Sequence, residues 1–165
     1  VGDRGAIPQV IVVADAGPLL HLHWVGATTW ALPPMPVHVV DAVWSEVYDH
    51  DPAALTDTRL MRVGSPHPKS APGLAGLDAG EAAAITYALA QQEPLILCDD
   101  LAARRVCTRL GVSVTGTIGL IVEAARGGHT SIESATAALT MLPTMGRMYV
   151  SAELIRSAVD ALRPV

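Results

Sequence analysis

Short apolar runs alternate with longer amphipathic stretches along this chain. Residues 9–14 form a β-branched run ending at Asp15, and Gly17 and Pro18 then open an apolar stretch through Trp24 and Val25. This pattern predicts strand, turn and helix. Three prolines between Ala31 and Pro36 exclude regular helix there. Val37–Val40 then predicts a buried strand, with Asp41 as the N-cap of a helix from about Ala42 to His50. Residues 51–76 are rich in turn formers and predict a helical piece, an edge strand at Leu60–Val63 and a loop. Asp78-Ala79-Gly80-Glu81 has the spacing of a capping box before the alanine-rich helix Ala82–Gln92. Leu95–Cys98 predicts the next strand, followed by Asp99 and Asp100, a helix over Leu101–Leu110, a stop at Gly111 and a strand at Val112–Val114. Gly116–Arg126, Ser131–Leu142 and Ser151–Leu162 predict three further helices, the last two forming a helical extension over 131–165. Strands alternating with helices imply a parallel sheet covered on both faces, an α/β fold of three layers.

Composition narrows this picture. The 165 residues fit one domain able to bury its own core, and half of them are hydrophobic, but with no phenylalanine that core must be aliphatic and alanine-rich. No apolar run reaches the roughly 18 residues of a membrane span, so no membrane partner is expected. Residues 1–14 lack the pattern of a secretory leader. With only Cys98 and Cys107, a disulfide framework is absent and a reducing cytoplasm is the expected compartment. The net charge is −5, and the cations are ten arginines and one lysine, Lys69. A nucleic-acid partner would have to meet a local basic patch rather than a global field.

Acidic residues fall where parallel sheets bind ligands, beyond the carboxyl ends of strands: Asp15 after the first, Asp99 and Asp100 after Leu95–Cys98. Glu46 and Glu81 sit in apolar helical surroundings. Carboxylates gathered in one place repel unless a divalent cation neutralises them, and Mg²⁺ or Mn²⁺ prefers oxygen ligands. Such a site suits phosphoryl hydrolysis. Each acid also has a plainer reading: Asp15 as a helix cap, Glu46 as an ordinary helix residue, Glu81 as the fourth member of the capping box. One of Asp99 and Asp100 caps the following helix, which leaves open which of them binds metal. Asp78 reads as a cap alone.

These pieces resemble the PIN domain. The resemblance rests on Asp15-Ala16-Gly17-Pro18-Leu19-Leu20, Leu77-Asp78-Ala79-Gly80-Glu81-Ala82, Leu97-Cys98-Asp99-Asp100 with Arg104-Arg105 behind, and Thr115-Gly116-Thr117-Ile118-Gly119-Leu120. Within that family the chain is most similar to the VapC-like prokaryotic branch. The resemblance implies a PIN-like fold and a Mg²⁺- or Mn²⁺-dependent ribonuclease with Asp15, Glu46, Glu81 and Asp100 as its acids, Asp99 sharing the last role. It further implies an RNA substrate, a 5′-phosphate product, a homodimer, and the toxin role of a toxin–antitoxin pair with an antitoxin protein as partner. Two positions depart from the commonest family pattern: Gly17 stands where many members carry a hydroxyl, and Glu81 where many carry aspartate.

Arg104 and Arg105, with Arg109 and Arg126, are candidate RNA-phosphate contacts at the cleft mouth; the alternative for Arg104 is an ion pair with Asp100 one turn earlier. His21 and His23, two residues apart on a helix, lack a zinc partner pattern. Cys98 reads as a buried thiol, and Trp24, Trp30 and Trp44 as core or dimer packing. Two rivals complete the field. One is a PIN-fold module that binds RNA or a partner protein without cutting; the other, a receiver-type domain, would need a pocket lysine, and Lys69 lies in the proline-rich loop.

Overall fold

Among the described residues, five short strands build one sheet in the order β3-β2-β1-β4-β5, and every pairing is parallel. The computed structural model describes residues 9–66 and 73–163; Lys69 and the middle of the proline-rich loop lie outside them. β1 (Ile11–Ala14) is central, flanked by β2 (Val37–Val40) and β4 (Pro94–Leu97), with β3 (Leu60–Val63) and β5 (Ser113–Thr115) at the edges. Val12, Val13 and Ala14 are all fully buried. Successive strand residues face opposite sides, so helices must cover both faces of β1, which is why its sequence shows no polar alternation.

The helices are α1 (Ala16–Trp24), α2 (Thr28–Ala31), α3 (Asp41–His50), α4 (Ala79–Leu89), α5 (Leu101–Arg109), α6 (Thr117–Arg126), α7 (Ile132–Met141) and α8 (Ala152–Asp160). α4 lies across β1, β2 and β4 and packs on α3. Its buried face is Gly80, Ala83, Ala84, Ile85 and Ala88, whose mostly small side chains let it approach closely. α1 and α2 pack on α6, α6 on α7, and α7 on α8. The two C-terminal helices begin as the serines predict: the Ser131 and Ser151 hydroxyls accept the amides of Ser134 and Leu154. Trp24, Trp30 and Trp44 pack partly buried against the core. Among the described residues no helix is long and apolar enough to cross a membrane.

One expectation shifts and another holds. Asp41 is the first residue of α3 rather than its cap; Val40 takes the cap position without a side-chain bond, and the Asp41 carboxylate pairs with Arg62 of β3 at 2.6 Å. A neighbouring strand thus offered a stronger partner than the local amides did. The segment 51–66 follows the expected order, a single 3-10 turn at Pro52–Leu55 and then the edge strand.

The strand order places a ligand crevice. From β1 the chain steps outward through β2 to β3, then returns to the other side of β1 for β4 and β5. The switch between the two directions lies between β1 and β4, and the loops leaving their carboxyl ends diverge there. Ala14 pairs with Leu97 at that edge, so Asp15 and Cys98 emerge side by side.

Candidate active site

Asp15 follows β1 directly. Its backbone N–H continues the ladder by donating to the Leu97 carbonyl at 2.9 Å, which fixes where the side chain departs. The residue is only 7% exposed. Among the described residues no cation pairs with it, and its side-chain partner is the weak Cys98 Sγ–H donor at 3.6 Å. Burial pushes its carboxyl up to about 7; the Ala16 N–H opposes the shift, and the charges of Glu46, Glu81 and Asp78 add to it.

The other acids are brought in by α3 and α4. Glu46 projects from the middle of α3 and is half-buried; burial, then the charge of Asp78, raises its carboxyl. Its Oε2 lies 2.9 Å from the point where a Cβ on Gly80 would stand. The missing side chain at residue 80 leaves room for the Glu46 carboxylate in this position. Glu81 completes the capping box: its N–H donates to Asp78 Oδ1 at 2.8 Å, and the Asp78 N–H donates to Glu81 Oε2 at 3.1 Å. Burial raises the Glu81 carboxyl, the Asp78 N–H opposes this, and Asp78, Asp100 and Glu46 raise it further. The capping role and membership of the acidic cluster hold together. Asp78, read from sequence as a cap alone, belongs to the same field.

The aspartate pair divides its work. Asp100 caps α5, its Oδ1 accepting the Ala103 N–H at 2.9 Å, and it also faces Glu81 closely enough to raise that carboxyl. Asp99 turns toward α6 and α1. Its Oδ1 accepts the Thr117 N–H at 2.7 Å, and its Oδ2 accepts the Thr117 hydroxyl at 2.6 Å and His21 Nδ1 at 2.7 Å. Asp99 thereby satisfies an orphan amide in the first turn of α6 and ties α1, β4 and α6 at one point. A Cβ on Gly17 would sit 3.5 Å from Asp99 Oδ2 and 3.6 Å from His21 Cε1. The histidine, one turn after the glycine, reaches the carboxylate that a longer side chain at position 17 would also touch. Sequence reasoning assigned neither Gly80 nor His21 to this site. The available signals were a glycine inside a helix's first turn, which costs about 1 kcal/mol against alanine, and a histidine at i+4 from Gly17.

The arginine readings also change. Arg104 makes no ion pair with Asp100; its Nη1 donates to the Cys98 carbonyl at 3.0 Å. Arg105 is exposed on the same helix. Arg126 belongs to the far end of α6, where it pairs with Glu123 at 3.3 Å, and is removed from the cleft-mouth set. His23 stands 3.5 Å from Asp51. Cys98 and Cys107 are buried free thiols, both raised chiefly by burial, which keeps them protonated and unreactive.

Hard oxygen donors around a buried carboxylate that has no cationic partner among the described residues fit Mg²⁺ or Mn²⁺ by chemistry. As the side chains stand, no group of three or more His, Cys, Asp or Glu among the described residues is closed up to ligating geometry. No curated protein and no solved structure matches the chain. A family model described as PIN domain matches residues 11–163, spanning the five strands and eight helices described above. The chain belongs to the PIN-domain family.

Proposed function

We propose that this protein is a Mg²⁺- or Mn²⁺-dependent endoribonuclease in which Asp15, Glu46, Glu81 and Asp100 hold the cation. The observation that carries the proposal is Asp15: a buried carboxylate with no cationic partner among the described residues, raised by burial and by three further acids around it. Such an arrangement is unfavourable on its own and becomes favourable with a cation. PIN domains are generally nucleases, which fits this charge pattern. A divalent cation bound there would stabilise charge on a phosphodiester and activate water.

The residues present would do the rest. Asp15, fixed by the sheet, anchors the site. Glu46 and Glu81 would join it from two helices, and Asp100, whose charge acts on Glu81, would join from the cap of α5. Asp99 is better placed to hold α6 and α1 in position than to be a principal ligand, because both its oxygens already accept hydrogen bonds. Water attacks phosphorus, the bond to the 3′ oxygen breaks, that oxygen takes a proton, and the product carries a 5′-phosphate. The VapC-like resemblance extends the proposal to the toxin of a toxin–antitoxin pair, acting as a homodimer in the cytoplasm and silenced by an antitoxin protein.

A second reading has its own observation. Because the acids are not closed up to ligating geometry, the chain also fits a PIN-fold module that binds RNA or a protein without cutting. Melting of metal-stripped protein across a Mg²⁺ and Mn²⁺ titration, beside Asp15→Asn, separates the two. A cation binding only the fold stabilises it by about 2.7 kcal/mol at a hundredfold excess over Kd. An upward shift in the wild type that the variant lacks, with RNA cleavage abolished by the variant, supports the nuclease. RNA binding without cleavage at any metal concentration supports the module.

A further inference from the structure

Away from the acids, a cavity of about 490 Å³ opens between the segment that joins α2 to β2 and the second half of α6. None of the candidate active-site acids lines it. Trp30, Pro33 and Pro34 supply one part of the wall, and Leu95 of β4 with Leu120 and Ala124 of α6 supply another. Space is left here because Ala31 and Ala124 end at Cβ and the chain has no phenylalanine to fill the gap. Protein interiors are otherwise close-packed, and a cavity of this size falls within the roughly 300–1,000 Å³ of small-molecule sites.

The charges of the lining decide what can enter. Besides His129, its ionisable residues are Arg59 and Glu123, and each is already paired: Arg59 with Asp57 at 2.6 Å, Glu123 with Arg126 at 3.3 Å. The Arg59 guanidinium also donates to the carbonyls of Leu32 at 2.8 Å and Thr28 at 2.9 Å, so it is committed to holding α2. A phosphate or carboxylate would lose hydration here without gaining an unpaired arginine. The occupant is therefore neutral.

Its shape and polarity follow from the remaining groups. Trp30 and the two prolines present rigid rings, against which a flat fused ring packs with little side-chain ordering. The Trp30 indole N–H and the hydroxyls of Thr29 and Thr115 make no hydrogen bond among the described residues, and an occupant without polar atoms would strip water from them unreplaced. An indole N–H only donates, so the occupant must carry an acceptor. We infer that this cavity is a binding site for a neutral, fused-ring nitrogen heterocycle, whose ring packs against Trp30 and the prolines and whose acceptor atom takes the Trp30 N–H. The inference stands apart from the nuclease reading, because it uses no residue of the acidic cluster.

The test is titration of the full chain with quinoline, with naphthalene as the same shape lacking the acceptor and naphthoate as an anionic relative. Amide chemical shifts are followed at about pH 8, above the ordinary imidazole pKa of ~6.5. Quinoline should bind with shifts centred on residues 29–34 and 120–129, and naphthoate should not bind detectably. Trp30→Phe keeps a ring and removes the N–H, so it should weaken quinoline about fivefold more than naphthalene, the factor of one neutral hydrogen bond. Ala124→Leu adds volume to the wall; it should weaken quinoline at least about tenfold and leave the melting temperature unchanged or higher. Where that variant melts lower instead, the Trp30→Phe comparison decides alone. No quinoline binding up to its solubility, shifts centred on another part of the fold, naphthoate binding as tightly as quinoline, or equal losses for quinoline and naphthalene in Trp30→Phe would each overturn the inference. So would normal quinoline binding by a well-folded Ala124→Leu.

Discussion

Asp15 and Asp99 leave adjacent strands at the same edge of the sheet, yet their surroundings are opposite. Asp99 accepts three hydrogen bonds between 2.6 and 2.7 Å, from a backbone amide, a hydroxyl and an imidazole. Asp15 is more deeply buried, has a thiol at 3.6 Å as its side-chain partner, and faces other acids. One carboxylate has its charge satisfied by the fold; the other has no cationic partner among the described residues. Sequence position alone does not separate a carboxylate that the fold satisfies from one that it leaves without a cationic partner.

The comparison breaks most sharply at Asp15. Asp15→Asn should abolish RNA cleavage while making the metal-free protein more stable at neutral pH. In the fold Asp15 keeps its proton up to about pH 7, whereas in the unfolded chain it loses it near the ordinary 3.8. Unfolding between those values therefore releases a proton, and the contribution of Asp15 to stability is greatest below about pH 4 and is lost as pH rises to 7, while the lowered carboxyls of Asp51 and Asp57 act in the opposite direction at the acidic end. The raised carboxyls of Glu46 and Glu81 act in the same direction. About three units at 1.36 kcal/mol each give up to roughly 4 kcal/mol. Urea unfolding in EDTA across this range should show wild-type stability falling relative to that of the variant as pH rises from about 4 to 7. A parallel decline in both would deny Asp15 its unsatisfied charge.

Asp99→Ala should act in the opposite sense, destabilising by about 2–4 kcal/mol, because it strands the Thr117 amide and the donors that met the carboxylate. A cost under about 0.5 kcal/mol would show that Asp99 does not tie the three elements. His21→Ala removes a single donor and should cost about 1 kcal/mol. Adding Gly17→Ser should restore part of this, since a Cβ there stands 3.5 Å from Asp99 Oδ2 and carries a hydroxyl into bonding range. Gly17→Ala in the same background controls for helix propensity. Equal recovery by serine and alanine would mean that no hydrogen bond had been regained.

The smallest effect on stability is expected at Gly80. Gly80→Ala gains up to about 1 kcal/mol of helix propensity, but its Cβ would stand 2.9 Å from Glu46 Oε2 and must push that flexible side chain aside. Stability should stay within about 1 kcal/mol of the wild type, while the Mg²⁺-dependent melting shift shrinks. An undiminished shift would remove Glu46 from the proposed cation site.

Much of this arrangement was legible in the chain. Apolar runs marked the central strands β1, β2 and β4, because a strand covered on both faces has little room for polar alternation, whereas the partly exposed edge strands β3 and β5 gave shorter and more mixed signals. Serines, glycines and the Asp78–Glu81 spacing marked helix ends, because orphan amides and left-handed residues are local needs; Gly111, with φ of +71°, closes α5. The acids at strand ends stood out because parallel sheets leave their crevice there. What sequence could not supply were choices among partners distant in the chain. Asp41 is met by Arg62 across a strand, so it does not cap α3. Asp78 belongs to the acidic field because α4 lies against α3, and Arg126 is remote from it because α6 carries that end away. His21 and Asp99 are 78 residues apart and meet only because α1 and β4 converge at the strand switch. Local hydrogen-bonding needs repeat every few residues and can be read from spacing. The sign and number of charges around a buried carboxylate depend on which helices the sheet brings together, and only the tertiary structure decided that.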